Sequence, residues 1–340
     1  MNACLYESLK GLKIQCHLCS HRCVVSEGRR GLCGVRENQG GILKTLVYGK
    51  LIAANVDPIE KKPFFHFLPG SLSYSIATVG CNFSCTFCQN AEISRMPADQ
   101  NGKIVGTICA SSSVLDEAQK TGCRSIAYTY TEPTVFFEFA LDTAKLAHEK
   151  GLRNVFVTNG YMTQEALEEI HPYLDAANVD LKAFREKFYK ELCGASLKPV
   201  LKTLVRMKSM GIHLEITTLL IPGRNDDPVQ LSEMAAFIVS DLGSDTPWHI
   251  SRFHPTYRLT DCPPTSVNAL INAREIGLQS GLQYVYTGNI PGDNGENTYC
   301  HHCGKLLIER WGFTIRKNRI LDSRCVFCSA KVPGIEMSHH

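Results

Sequence analysis

Residues 80–90 carry the chemistry around which the rest of the chain can be read. Cys81, Cys85 and Cys88 stand at x3 and x2 spacing, with Asn82, Phe83, Ser84, Thr86 and Phe87 between them. Three thiolates so spaced can wrap three corners of a cubic [4Fe–4S] cluster, whereas ordinary electron-transfer clusters take four cysteines. Three ligands leave one iron with an open position, the logic that separates catalytic from structural zinc sites. The competing reading is a zinc site that borrows its fourth ligand from elsewhere in the chain.

An open iron can chelate the amino and carboxylate groups of S-adenosylmethionine, and a reduced cluster can pass an electron to the adjacent sulfonium. With Phe87 at the aromatic position, Cys81, Cys85 and Cys88 form C-x3-C-x-aromatic-C, which resembles the signature of the radical S-adenosylmethionine superfamily. The resemblance implies a [4Fe–4S] cluster, S-adenosylmethionine as co-substrate and a 5′-deoxyadenosyl radical as product of its cleavage.

Polar residues at later strand ends extend the site. Thr131, Glu132 and Pro133 follow the expected strand 124–130. The family's corresponding strand ends in Gly-Gly-Glu-Pro and holds the cofactor's amino group. Tyr130 and Thr131 replace the two glycines here, so Glu132 alone is carried over. As plain chemistry, Glu132 before Pro133 also reads as a carboxylate complementing a helix N-terminus, and both readings can hold at once. Thr158 and Asn159, ahead of Gly160, resemble the Thr-Asn-Gly turn of glycyl-radical-enzyme activases, which places them near the ribose or methionine of the cofactor. Asp180 and Lys182 end the next strand, either facing cofactor or substrate or making a rim salt bridge. Ile221, Pro222 and Gly223 resemble the turn that lies near the adenine. Arg252, His254 and Asn289 are substrate-side candidates, with a satisfied structural histidine as the alternative for His254.

These residues need a scaffold that brings strand ends together. From residue 73, β-rich runs at 73–79, 124–130, 153–158, 176–182, 212–220, 247–253 and 283–287 alternate with helical runs at 133–150, 197–210, 228–242 and 265–280. Phe136, Phe139, Ala140, Thr143 and Ala147 form one apolar helix face. Gly151, Gly211 and Gly281 stand where helices should stop. The alternation predicts an α/β fold with a mostly parallel sheet of right-handed βαβ units, an open partial (β/α)6-type barrel with active residues at the C-terminal strand ends. The expected organisation is a cysteine-rich segment at 1–70, the barrel at 71–289 and a zinc-ribbon-like segment at 290–340. Within the first, the run from Asp57 to Gly70, punctuated by prolines, reads as packed over something rather than as free linker.

Two further cysteine groups flank the barrel. Cys300, Cys303, Cys325 and Cys328 have ribbon spacing and would close a structural zinc tetrahedron. His301 and His302 are bystanders, and no dense Lys/Arg stripe with interleaved aromatics accompanies the group, so nucleic acid is not expected. Cys16, Cys19, Cys23 and Cys33 could hold zinc or an auxiliary [4Fe–4S] cluster. The compact ferredoxin run is absent, which leans the reading towards zinc. Cys4, Cys109, Cys123, Cys193 and Cys262 are scattered.

Composition bounds the remainder. The 340 residues are 44% hydrophobic and 20% charged, a mix able to build a sizeable core. Lys+Arg 36 against Asp+Glu 33 is too balanced to point to a polyanionic partner. No apolar run has membrane-spanning length, and the first residues lack a signal-peptide pattern. A cytoplasmic, reducing setting is expected, where clustered cysteines mean metal ligation rather than disulfides.

Over nearly its whole length the chain resembles the AmmeMemoRadiSam-system radical S-adenosylmethionine enzymes, themselves similar to pyruvate formate-lyase activating enzymes. The matching stretches are 19–23, 31–36, 57–63, 65–70, the 81–88 cysteines, 128–133 and 284–289. The resemblance implies an enzyme fed by an electron donor such as flavodoxin or ferredoxin, with AMMECR1-like and Memo-like proteins as partners and an unidentified substrate. The alternatives are a glycyl-radical-enzyme activase acting on a protein partner, or a non-catalytic metal-binding adaptor or nucleic-acid-binding protein.

Overall fold

A computed structural model describes residues 1–288, 290 and 294–338. Its centre is an eight-stranded sheet: β1 (Ala53–Pro58), β2 (Leu72–Ala77), β3 (Ser125–Tyr128), β4 (Arg153–Thr158), β5 (Ala176–Asp180), β6 (His213–Leu220), β7 (Trp248–Arg252) and β8 (Val285–Gly288). Strands lie side by side in chain order and the sheet is open at both ends. From β2 to β8 every pairing is parallel, while β1 pairs antiparallel with β2 at the edge. Sequential order with right-handed crossovers puts the intervening helices on one side and lets the sheet curl as a barrel wall. Six crossovers join the seven parallel strands, as the partial (β/α)6 expectation requires. The edge strand β1, by contrast, comes from the cysteine-rich stretch 1–70, so that stretch contributes to the sheet itself.

The helices follow local chemistry. Thr163, Asp227 and Ser266 cap Gln164–Ile170, Pro228–Phe237 and Val267–Gln279 by accepting from Ala166 N, Gln230 N and Ala269 N. Gly151, Gly211 and Gly281 follow their helices at φ +74°, +79° and +103°, where a side chain would be strained. The run 133–150 begins as a 3-10 turn, Pro133–Phe136, before the helix Phe137–Glu149.

The segment 57–70 does not lie over the barrel; it fills it. Ile59, Phe64, Phe67 and Leu68 pack against Ala127, Val155 and Ala176, small or branched residues on the inner face of β3, β4 and β5. Glu215 of β6, fully buried, accepts from the backbone N–H of Phe65 (3.0 Å) and His66 (2.8 Å) and meets His249 Nε2 at 2.7 Å. Burial alone would raise the Glu215 pKa, but the hydrogen bonds from His213 and His249 hold it well below the usual carboxylate range.

The C-terminal strands Leu306–Trp311 and Thr314–Asn318 dock on this plug. Buried Arg310 donates to Phe65 O (2.9 Å) and Thr298 Oγ1 (2.7 Å) and stacks over the Phe65 ring. At the N-terminus, the three-stranded sheet Tyr6–Ser8, Ile14–Cys16 and Val24–Val25 leads to the hairpin Arg36–Gln39/Ile42–Thr45. It is tied to the barrel by Thr163 Oγ1 donating to His17 O (2.6 Å) and by the Arg36–Glu138 ion pair (2.9 Å). No helix among the described residues is long and apolar enough to cross a membrane.

His66 joins plug, sheet and tail. Its Nδ1 lies 2.7 Å from Pro333 O and its Nε2 2.6 Å from the Tyr286 hydroxyl. A carbonyl only accepts, so Nδ1 carries the proton and neutral Nε2 accepts from the tyrosine. Burial pushes the His66 pKa down to about 4, against about 6.5 in an unfolded chain. The neutral ring therefore contributes stability that is fully present above about pH 6.5 and is lost as pH falls through about 4. We expect the melting temperature to fall on acidification across that window, and to fall less in His66→Gln. Thermal unfolding of both chains at several pH values checks it; parallel curves would contradict the assignment.

Candidate functional site

The cysteine loop leaves the C-terminal end of β2 and crosses the mouth of a cleft of about 620 Å³. Cys81, Cys85, Phe87, Cys88, Glu132, Thr158, Asn159, Asp180 and Lys182 all line that cleft, so residues from four strand ends converge. Hydrogen bonds reach the sulfur atoms directly. Phe83 N donates to Cys81 Sγ (3.4 Å), Asn159 Nδ2 lies 3.9 Å from the same sulfur, and Cys88 Sγ lies 3.2 Å from Ser94 Oγ. Burial pushes Cys81 well above, and Cys88 above, the ordinary thiol value.

Glu132 is fully buried and wholly engaged. One carboxylate oxygen accepts from Thr134 N (3.1 Å), Thr134 Oγ1 (2.5 Å) and Thr158 Oγ1 (2.7 Å), and the other from Asn159 N (2.8 Å). It is thus the N-cap of the turn opened by Pro133 and also the clamp that fixes the end of β4. Burial is the dominant influence and raises its pKa, with these donors opposing it. Asn159 Nδ2 then donates to Asn82 Oδ1 (2.7 Å), carrying the clamp across to the cysteine loop.

Tyr130 stands at φ +61°, a conformation glycine adopts freely and tyrosine does not. Asn90 Nδ2 donates to Tyr130 O (2.7 Å), the Tyr130 hydroxyl donates to Asp57, and Lys62 Nζ sits 4.0 Å from the ring centroid. Together these contacts over-determine the strained residue.

Asp180 and Lys182 pair at 2.8 Å, so the rim salt bridge exists within the cleft wall. Lys182 Nζ lies 5.9 Å from the Phe87 ring centroid. Arg252 and His254, in contrast, do not line the cleft. Side chains alternate along a strand, and in β7 it is His249 and Ser251 that face inward. Arg252 donates from Nε to Thr265 O, and His254 is exposed. Asn289 lies outside the described residues.

Several cleft residues had little or no signal in the sequence. Glu60, Lys61, Lys62 and Phe65 arrive on the plug, and Thr217, Leu219 and Thr287 on strands. Burial pushes Lys62 down to about 8, with Asp57 (2.7 Å) opposing. Cys193, one of the scattered cysteines, lies against the cysteine loop: its carbonyl accepts from Ser84 N (2.8 Å), and its thiol donates to Cys85, holding the Cys85 pKa below the ordinary value. Only the strand-end position of Thr217 and Thr287 could have been found by period; Cys193 offered none.

The flanking cysteines differ in geometry. Among the described residues, Cys300, Cys303, Cys325 and Cys328 are the one group of three or more metal-ligating atoms all within 4.8 Å of one another. Cys300 Sγ and Cys328 Sγ are 3.6 Å apart, and Cys303 Sγ and Cys325 Sγ 3.8 Å. Sulfurs about 2.3 Å from a tetrahedral ion lie about 3.8 Å from each other, so this group fits one ion. The sulfurs at 81, 85 and 88 do not gather so closely, which suits a polynuclear guest with iron at its corners.

The clamp makes a stability prediction. Glu132→Ala strands the Thr158 hydroxyl and the Asn159 N–H in a buried site, at about 1–3 kcal/mol for each unsatisfied group. Urea unfolding should show a loss of at least about 2 kcal/mol, and a smaller loss for Glu132→Gln, whose amide oxygen still accepts. Equal stability of all three chains would show the clamp to be ornamental.

Comparisons with known proteins agree with this arrangement. An uncharacterized protein of Methanocaldococcus jannaschii is 44% identical over 332 residues, 97% of this chain and 98% of that protein. The (2S)-3-sulfopropanediol dehydratase activating enzyme of Klebsiella oxytoca is 24% identical over 112 residues, 33% of this chain and 35% of the enzyme. Streptococcus suis SuiB bound to S-adenosylmethionine shares the fold at a TM-score of 0.52 and 15% identity, over 72% of this chain and 58% of that one. The profile of the Radical SAM superfamily matches residues 75–235. That span begins inside β2 and takes in the cysteine loop, Glu132 and the Thr158–Asn159 turn, and this part of the chain is a Radical SAM domain.

Proposed function

We propose that the protein is a radical S-adenosylmethionine enzyme, with Cys81, Cys85 and Cys88 holding a [4Fe–4S] cluster at the mouth of the barrel. The observation that carries this reading is the convergence of three buried or half-buried thiols with Glu132, Thr158 and Asn159 in one cleft at the C-terminal strand ends. When bound, the cluster supplies the electron that cleaves S-adenosylmethionine to a 5′-deoxyadenosyl radical, which acts on a substrate held deeper in the cleft. The chain's own residues do the positioning. Glu132 fixes Thr158 and Asn159 against the cysteine loop, so that the end of β4 forms part of the wall against which the cofactor would lie. Phe87 and Lys182 line the same cleft. Phe65, His249, Ser251 and Thr217 line the cleft from the plug and strands, where a substrate would rest.

The accompanying assignments follow the same logic. Residues 71–289 form most of the catalytic barrel, which takes its edge strand and plug from 53–70, and the cysteine-bearing stretches before and after form its metal-binding flanks. Cys300, Cys303, Cys325 and Cys328 hold structural zinc, since four thiolates leave no open position. The reductant is a flavodoxin or ferredoxin in the cytoplasm, and AMMECR1-like and Memo-like proteins are the partners to try first. A second reading, activation of a glycyl-radical enzyme, draws on the likeness to the Klebsiella activating enzyme over a third of the chain. A glycyl-radical signal raised in a partner protein would favour it.

Anaerobic reconstitution, reduction and addition of S-adenosylmethionine should give 5′-deoxyadenosine from the wild type and none from Cys85→Ala. Zinc bound at Cys81, Cys85 and Cys88 in place of iron would sink the reading. On the same samples, Cys325→Ser should lose one zinc per chain while retaining the iron; unchanged zinc would remove the ribbon assignment.

A further inference from the structure

The four N-terminal cysteines take no part in the proposed reaction, yet they are brought together. Cys16, Cys19, Cys23 and Cys33 line one enclosed cavity, walled by apolar Leu18 and Val25 and reached by Thr134 and Val135 from the turn behind Glu132.

Arg36 is the second, independent observation. Its side chain lines the same cavity and is 2% exposed. Nη2 binds Glu138 Oε1 (2.9 Å) and Cys4 O (2.6 Å), while Nε and Nη1 have no partner at all. A buried, half-satisfied guanidinium is costly unless an anionic acceptor arrives, and a thiolate-bound metal centre is such an acceptor.

Size and place decide which centre. The four sulfurs do not meet the mutual spacing of the C-terminal group, so they do not form a cage for one tetrahedral ion, contrary to the zinc leaning of the sequence. A larger guest with a metal at each corner fits four spread thiols. The cavity also abuts the central loop. Gly80, immediately before Cys81, sits at φ +99°, and a Cβ there would come within 3.1 Å of Cys33 O and 2.5 Å of Val35 Cγ1. His21 Nε2 lies 2.8 Å from Asn82 O, on the other side of Cys81.

We propose that Cys16, Cys19, Cys23 and Cys33 hold a second [4Fe–4S] cluster that relays electrons to the central cysteine loop. A one-electron donor of the flavodoxin or ferredoxin class is oxidised by one electron as the N-terminal cluster is reduced by one. That cluster returns to its oxidised state when the electron moves on to the centre at Cys81, Cys85 and Cys88. The relay step rests on the proposed function; the presence of the second cluster does not.

The test uses the full chain carrying Cys81→Ala, Cys85→Ala and Cys88→Ala together, which leaves the N-terminal cysteines intact. After anaerobic reconstitution it should retain about four irons and four acid-labile sulfides per chain, against about eight of each in the wild type. Its reduced cluster should give an EPR signal that S-adenosylmethionine does not alter. In that background Arg36→Gln should shift the midpoint potential downwards, because a nearby cation favours the more negative reduced state, and Arg36→Lys should restore part of the shift. Cys19→Ala with Cys33→Ala, central cysteines intact, should lose reduction of the remaining cluster by flavodoxin while keeping reduction by dithionite. An extra zinc with no sulfide in the triple variant overturns the proposal. So does an iron-free triple variant beside a wild type with about four irons, an outcome that leaves the proposed function standing. A triple variant and wild type that both hold the same four irons would uphold the N-terminal cluster and fail the central one instead. Undiminished flavodoxin reduction would overturn the relay.

Discussion

The geometry of the cleft hangs on one buried carboxylate. Glu132 takes hydrogen bonds from Thr134, Thr158 and Asn159, and so joins the turn after β3 to the end of β4. No cation accompanies it in that contact set. Burying a charge is tolerated only where hydrogen bonds replace its water, and the two strand ends must stay in place to supply them. The dependence then passes outward: Asn159, held by its backbone, gives its side-chain amide to Asn82, beside Cys81. A flexible cysteine loop is thereby referenced to the stiffest part of the molecule, the parallel sheet.

A second carboxylate does the same below the cleft. Glu215 binds the backbone of the plug through Phe65 and His66 and is itself flanked by His213 and His249. Inner-face side chains of β3, β4 and β5 are small here, Ala127, Val155 and Ala176, which leaves room that Phe64, Phe67 and Leu68 fill. An open sheet that would otherwise expose its concave face is packed at the bottom and hollow at the top. Arg310, reaching Phe65 O from the C-terminal strands, makes the ribbon part of that floor rather than an appendage.

What could be read in advance was what depends on local spacing. Cysteine intervals, strand–helix alternation and the glycines after helices are short-range signals, and the strands, their parallel order and the polar residues at their ends followed from them. The residues that escaped are those whose roles depend on partners distant in sequence. Glu215 reads as one more strand residue until the plug arrives from 150 positions away. Cys193 reads as a stray thiol until a helical turn sets it beside Cys85. Arg252 and His254 were attractive for their chemistry, but a period of two chose His249 and Ser251 for the cleft. Tyr130 shows the reverse: a residue that departs from the family's glycines sits in a glycine's conformation, because Asn90, Asp57 and Lys62 hold it there.

Composition grouped the cysteines, and only three-dimensional spacing separates them. The C-terminal sulfurs crowd to tetrahedral distances and leave nothing over for chemistry. The central and N-terminal sulfurs stand further apart. They differ in what faces them. Around the central loop lie a cleft and a carboxylate clamp, open to a small molecule; around the N-terminal set lie apolar walls and a guanidinium with two nitrogens unpartnered. An open, polar surrounding suits a centre that must meet a co-substrate, and a closed, cationic one suits a centre that must only change charge. Because the backbone of Cys33 rests on Gly80, the two surroundings share a wall, and a change of charge on one side is felt on the other.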